Sequence, residues 1–109
     1  MARREKVFFE QEGAKMHSDR FVWDEEKHRA NIIKHKVSFN EAASVFDDVK
    51  ALYIPDEKHS GHEERFLILG MSEKINLLMV CHCYCNGDSF IRIISARKAT
   101  TSQRQRADC

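Results

Sequence analysis

Midway along the chain the apolar residues change period, and that change restricts the fold more than any compositional figure does. Phe39, Ala42, Ala43, Val45 and Phe46 recur at helical spacing, whereas from residue 51 onward the apolar residues come in short β-prone runs. Ser38 and Glu41 form an S-x-x-E capping box at the head of that helix, with Val37 placed to staple against Ala42. An earlier helix is predicted from Asp24, its N-cap, to about His35. Glu25 and Glu26 suit the positive end of its dipole, and Lys34 and His35 the negative end. Ala30 and Ile33 are expected on its inner side. About three residues separate the two helices, which makes a tight corner. Phe21, Val22 and Trp23 read as a short strand before them.

After the corner a short strand is predicted over 51–54, stopped by Pro55. Residues 56–64, with His59, Ser60, Gly61 and His62, read as an exposed loop. Residues 65–71 and 75–84 read as strands around a turn at 72–74, and Asn86-Gly87 signals a hairpin before a last strand over 89–95. From Ala96 a C-terminal helix is predicted, with Ser95 as N-cap. Consecutive hairpins make the sheet mostly antiparallel, and the helix pair must cover one face of it. The expected class is α+β in the order β-α-α-β-β-β-α, with the other sheet face free for polar work. A chain of 109 residues is one domain's worth. The domain is placed at 20–109, and the polar residues 1–19 are expected to be a flexible extension.

Eighteen Lys and Arg against 17 Asp and Glu leave a formal charge of +1, which excludes wholesale phosphate neutralisation as a binding mode. It leaves room for a local basic site: Arg92, Arg97, Lys98, Arg104 and Arg106 follow one another with no acid between them. No run reaches the ~18–20 apolar residues that cross a bilayer. The N-terminus lacks the apolar core of a signal peptide, so a cytoplasmic protein with no membrane contact is expected. Cys81, Cys83 and Cys85 alternate, which on a strand sets their thiols on one face, ~6.5–7 Å apart and parallel, a poor geometry for a disulfide. There is no C-x2-C knuckle for zinc. The cysteines read as small core residues, and no metal or other cofactor is expected. P-loop, dinucleotide, nucleophile-elbow and zincin motifs are absent from the sequence.

Three groups have chemical potential. Lys27, Asn31, Lys34 and His35 share one stripe of the first helix and suit phosphates, although a solvated face is the commoner use of such a stripe. Arg92 interrupts the apolar strand Phe90-Ile91-Arg92-Ile93-Ile94, where its charge must either stand exposed or be paired. Arg97 and Lys98 fall on the predicted start of the last helix, which disfavours two cations unless an anion sits there. Arg65 opens another strand and can join Arg92. His82 lies within the sheet, whereas His28, His59 and His62 are expected at the surface. A two-residue Asn86-Gly87 loop pairs Cys81 with Arg92 and a three-residue loop pairs His82 with Arg92; both stay open.

Four segments carry a wider resemblance. Trp23-Asp24-(x2)-Lys27-(x3)-Asn31-(x2)-Lys34-His35, Val37-Ser38-Phe39-(x)-Glu41-Ala42, Glu64-Arg65-Phe66-(x3)-Gly70 and the run from Ile91 to Thr100 together resemble the BrnT family, toxins of type II toxin–antitoxin pairs, over about residues 20–104. The resemblance implies a RelE-like ribonuclease fold, cleavage of RNA and inhibition of translation. It also implies a tight complex with a cognate antitoxin of ribbon-helix-helix type, through which alone the pair contacts operator DNA. By the same resemblance Arg65, Arg92 and Arg97 fall on positions that act on RNA. Lys27, Lys34, His35 and Lys98 are the candidate RNA contacts. Where the family usually has a glutamate and then an aromatic residue, this chain has Gln103 and Ala107.

The chemistry expected from this resemblance needs no metal. The ribose 2′-OH attacks the neighbouring phosphate, leaving a cyclic phosphate and a free 5′-OH. Arg92 and Arg97 hold the developing charge, Arg65 positions the phosphate, and His82 carries a proton near neutral pH. The rival expectation, raised by the amide at Gln103, is a toxin-like module that only binds its antitoxin or another protein.

Overall fold

The computed structural model describes residues 5–7, 20–56, 61, 63–85, 87 and 89–108. Strands β1 (Glu5–Val7), β2 (Phe21–Asp24), β3 (Leu52–Pro55), β4 (Phe66–Met71), β5 (Leu77–Cys85) and β6 (Phe90–Lys98) form one sheet in the order β1-β2-β6-β5-β4-β3. Every neighbouring pair is antiparallel except β2 and β6, which run parallel. Helices α1 (Glu25–His35) and α2 (Phe39–Ser44), the latter continued by a 3-10 turn (Val45–Asp47), pack on one face. Helix α3 (Thr101–Asp108) follows β6. Four strands follow the helix pair, at the four segments predicted over 51–54, 65–71, 75–84 and 89–95; the shorthand order β-α-α-β-β-β-α writes one too few. Residues 5–7, placed in the expected extension, form an edge strand instead; the rest of 1–19 lies outside the described residues.

Local chemistry accounts for the corner. The Asp24 carboxylate accepts the Glu26 and Lys27 N–H groups at 2.8 and 3.4 Å, and Ser38 Oγ accepts the Glu41 N–H at 3.0 Å. The second half of the predicted capping box does not form. Glu41 is buried, and its carboxylate accepts Ser72 Oγ–H at 2.6 Å and Asn76 Nδ2–H at 2.8 Å, tying α2 to the β4–β5 turn. The inner side of α1 also differs from expectation. Ala30 is exposed and Ile33 is 74% exposed, whereas Asn31 is buried. The corner and β6 need hydrogen-bond partners more than apolar cover at that point, as the Asn31 contacts below show.

Phe21, Trp23, Val37, Phe39, Ala42, Ala43, Val45, Ile68, Leu78, Val80, Ile91, Ile93 and Ala96 form the core between helices and sheet. Gly70 sits where the 3-10 turn crosses β4. A Cβ there would lie 2.9 Å from both Ala51 Cβ and Val45 Cγ1. Gly70→Ala is expected to lower stability by about 1–3 kcal/mol through overpacking, read as a drop in the urea midpoint; an unchanged midpoint would show that the crossing has slack.

Pro55 falls on the edge strand. Because the Asp56 N–H bonds Arg65 O at 2.9 Å, Asp56 faces β4 and Pro55 turns its missing donor outward, where no ladder bond is lost. At the other hairpin, Cys85 pairs with Phe90, so four residues connect β5 and β6 and neither expected register holds. Gly87 supplies the left-handed φ of +63° within that loop.

Candidate functional site

Strand parity alone sets Arg92 and Arg97 on opposite faces, since five positions separate them. A β-bulge changes this. His82 pairs with Ile93 but Cys81 pairs with Ser95, so Ile94 is the extra residue. Beyond it Ser95 pairs with Cys81, Ala96 with Val80 and Arg97 with Met79. The bulge turns Arg97 onto the face that carries Arg92, the one opposite α1 and α2, and leaves Ala96 in the core. Lys98, paired with Leu78, points to the helix-bearing face.

Arg65 precedes Phe66, the partner of His82, and so falls beside Cys83, which in turn pairs with Arg92. Arg65, Cys83 and Arg92 therefore form one row across three strands, the outer two about 10 Å apart. Arg97 stands about 16 Å farther along β6, with the exposed Ser95 between. Arg92 Nη1 lies 3.8 Å from Glu63 Oε2, and Arg97 Nη1 donates to Gln103 Oε1 at 3.3 Å. Glu63 precedes β4 and Gln103 belongs to α3. The three guanidinium-bearing residues share a face and flank its middle.

The thiols of this face are chemically quiet. Burial first, then the Glu63 charge, pushes Cys83 up to about 11, and burial, then Asp56, raises Cys81. Both remain protonated at neutral pH, which makes them poor nucleophiles. Cys81, Cys83 and Cys85 are thiols, not disulfides. Among the described residues no group of three or more His, Cys, Asp or Glu side chains is placed to hold a metal ion.

His82 is not brought to this face. It pairs with Ile93 on the helix side, is fully buried, and is ringed by Phe46, Tyr53, Phe66 and Tyr84 at centroid distances of 4.8–6.5 Å. The expectation of a proton carrier beside the arginines fails on geometry. Burial also holds its imidazole at about 4, with the Val80 carbonyl opposing only weakly. The unfolded chain binds this proton near pH 6.5 and the folded chain does not. Stability is therefore full above about 6.5 and falls as pH drops toward 4, by about 3 kcal/mol. Urea midpoints across that window, compared with His82→Gln, check it: the variant should lose the steepest part of the slope, and equal slopes would contradict it.

The predicted start of the last helix moves as well. Ser95 and Ala96 belong to β6, so Arg97 and Lys98 lie on a strand and the argument from an anion-seeking helix end falls away. Helix α3 is capped at Thr100. The Gln103 N–H donates to Thr100 Oγ1 at 3.3 Å while Gln103 Oε1 accepts the Thr100 N–H at 2.8 Å. This is a reciprocal T-x-x-Q box, a signal legible in Thr100-Thr101-Ser102-Gln103. It fixes Gln103 against Arg97. Ala107 has no described side chain.

Of the α1 stripe, Lys27 and Lys34 are exposed and His35 is half-buried, all on a helix packed against the face opposite the arginines. Asn31 has a different task from its neighbours. Its Nδ2 donates to Val37 O at 2.9 Å and Ala96 O at 2.8 Å, and its Oδ1 accepts the Ala96 N–H at 3.1 Å. One side chain thus joins α1, the helical corner and β6, next to Arg97. His28, expected at the surface, is half-buried and stacks on Phe39 at 5.1 Å. His59 and His62 lie outside the described residues.

The family model described as ribonuclease toxin, BrnT, of type II toxin–antitoxin system matches residues 23–103. The crystal structure of the Brucella abortus ribonuclease toxin BrnT superposes with a TM-score of 0.60 at 24% identity, covering 74% of this chain and 96% of that one. This second likeness establishes the fold. A search of curated proteins finds no match.

Proposed function

The chain belongs to the BrnT family of ribonuclease toxins of type II toxin–antitoxin systems, and from that premise we propose that it is a metal-independent endoribonuclease working on the sheet face opposite α1 and α2. The observation that carries this reading is the Ile94 bulge, which sets Arg92 and Arg97 on one side. An extended arginine reaches ~6–7 Å from its Cα, so the two can grip one phosphate above Ser95, with Arg65 entering from the next row. Their charge answers the one that develops on phosphorus as the 2′-OH attacks, where such donors lower barriers most. Held cations of this kind also make RNA affinity fall with salt.

The proposed biology follows the family. Cleavage inhibits translation in the cytoplasm, and a cognate antitoxin of ribbon-helix-helix type neutralises the toxin and carries the pair to operator DNA. Lys27, Lys34, His35 and Lys98 stand apart from the arginine face and serve, in this reading, only as outlying contacts to long RNA. Purified protein incubated with end-labelled RNA in EDTA should yield fragments with cyclic phosphate and 5′-OH ends. Intact RNA, or 5′-phosphate ends, would contradict the mechanism.

One contact favours a second reading, a toxin-like binder without strong catalysis. Gln103 touches Arg97 but cannot exchange a proton. Gln103→Glu keeps the cap on Thr100 and sets a carboxylate beside Arg97. Cleavage should rise at least tenfold and acquire a carboxylate limb in its pH profile. No change in a protein that still binds its antitoxin would favour the binder.

A further inference from the structure

At the foot of β4 and β5 the helices leave an aromatic surface uncovered. Phe66 and Tyr84 lie side by side there, ring centroids 5.4 Å apart, over the buried His82 ring. With Glu63 and Glu64 they line a cleft of about 450 Å³, and among the described residues no basic side chain lines it. Tyr84 is 38% exposed, and Glu64 is exposed too. His82 Nε2, buried beneath, has no hydrogen-bond partner among the described residues and stays neutral at physiological pH.

The charge pattern decides what fits. Aromatic faces beside carboxylates repel phosphate and attract a cation, through the ring quadrupole and the carboxylate charge together. Glu63 is already turned toward Arg92 and Cys83, which leaves Glu64 as the acid most open to a newcomer. We propose that this cleft receives an arginine side chain from a basic segment of the antitoxin, so that the toxin meets RNA on one face of its sheet and its protein partner at the aromatic end of the other. The choice of partner rests on the toxin reading, since a DNA-binding antitoxin must itself be rich in basic side chains; the cation-accepting chemistry of the cleft does not.

A fluorescein-labelled hexa-arginine peptide and a 12-nucleotide 2′-O-methyl RNA, titrated separately into the full chain by anisotropy, test the proposal. Tyr84→Leu and Glu64→Gln each remove one component from a part-exposed position, with the fold checked by circular dichroism. Each variant should weaken peptide binding about fivefold, the worth of one exposed cation–π or ion-pair contact, and leave RNA binding unchanged. Peptide affinity indifferent to both substitutions overturns the proposal. So does a loss of RNA affinity without a loss of peptide affinity, which would make the cleft a base-stacking surface. If Tyr84→Leu fails to fold, Glu64→Gln alone decides. RNA cleavage by the unaltered protein is scored in parallel, so a failed ribonuclease reading shows as absent cleavage with peptide dependence intact.

Discussion

Replacing Arg92 and Arg97 together with alanine should reduce RNA cleavage by about 10³-fold or more, each guanidinium supplying roughly 2–4 kcal/mol of barrier lowering. The loss should fall on the rate of the chemical step more than on affinity, because the charge on phosphorus exists only in the transition state. Stability should change little. Arg92 is about a third exposed and its nearest acid, Glu63, is 42% exposed, so that pair contributes no more than about 1 kcal/mol. The Arg97 contact is a single bond to the Gln103 amide. Single-turnover rates of the two single variants and the double variant measure the effect, with thermal unfolding as the control. A double variant that cleaves at the original rate removes the site. A double variant that merely unfolds would be replaced by Arg→Lys at each position, which keeps the charge and loses the bidentate fork.

Asn31→Ala carries the largest expected effect on stability. It strips partners from the Val37 and Ala96 carbonyls and from the Ala96 N–H in one step, all in a buried setting. Leaving buried backbone groups unsatisfied costs about 1–3 kcal/mol each when no water replaces the partner. With partial relief from water, a total loss of about 3 kcal/mol is expected, which lowers Tm by roughly 10–20 °C in a domain of this size. Asn31→Asp should also be destabilising, because a carboxylate cannot donate to the two carbonyls. A change below about 0.5 kcal/mol in both variants would mean that the clasp holds nothing together.

Much of the frame was legible in the residues. Asp24 and Ser38 mark helix starts because a short side-chain oxygen beside an apolar-periodic run has few other uses. The alternation of Cys81, Cys83 and Cys85 fixes their shared face, since strand parity needs no tertiary knowledge. The site was harder. Its key feature, the Ile94 bulge, lies in a run of β-formers where nothing marks the extra residue; the core's demand for Ala96 rather than Ser95 under the helices decides it. Arg97 and Lys98 looked like a helix start because Ser95 is a fair cap, yet the T-x-x-Q box at Thr100 is the stronger signal and lets β6 run on to Lys98. Asn31 sat in a stripe that reads as solvated, and only the neighbouring backbone, 65 residues away at Ala96, reveals its role. The face of His82 depends on the hairpin register. The four-residue connection pairs Cys83 with Arg92, the same parity as the two-residue loop, which leaves His82 on the opposite side; a three-residue loop alone would have set it beside Arg92.

The account turns on which side of the sheet meets RNA. Nε–Hε resonances of the arginines and backbone amides of the labelled protein, followed during titration with a 2′-O-methyl RNA that cannot be cleaved, answer it directly. The expected shifts fall on Arg65, Arg92, Ser95 and Arg97. Shifts confined to Lys27, Lys34 and the rest of α1, with the arginine signals unmoved, would put the RNA on the opposite face and contradict the account.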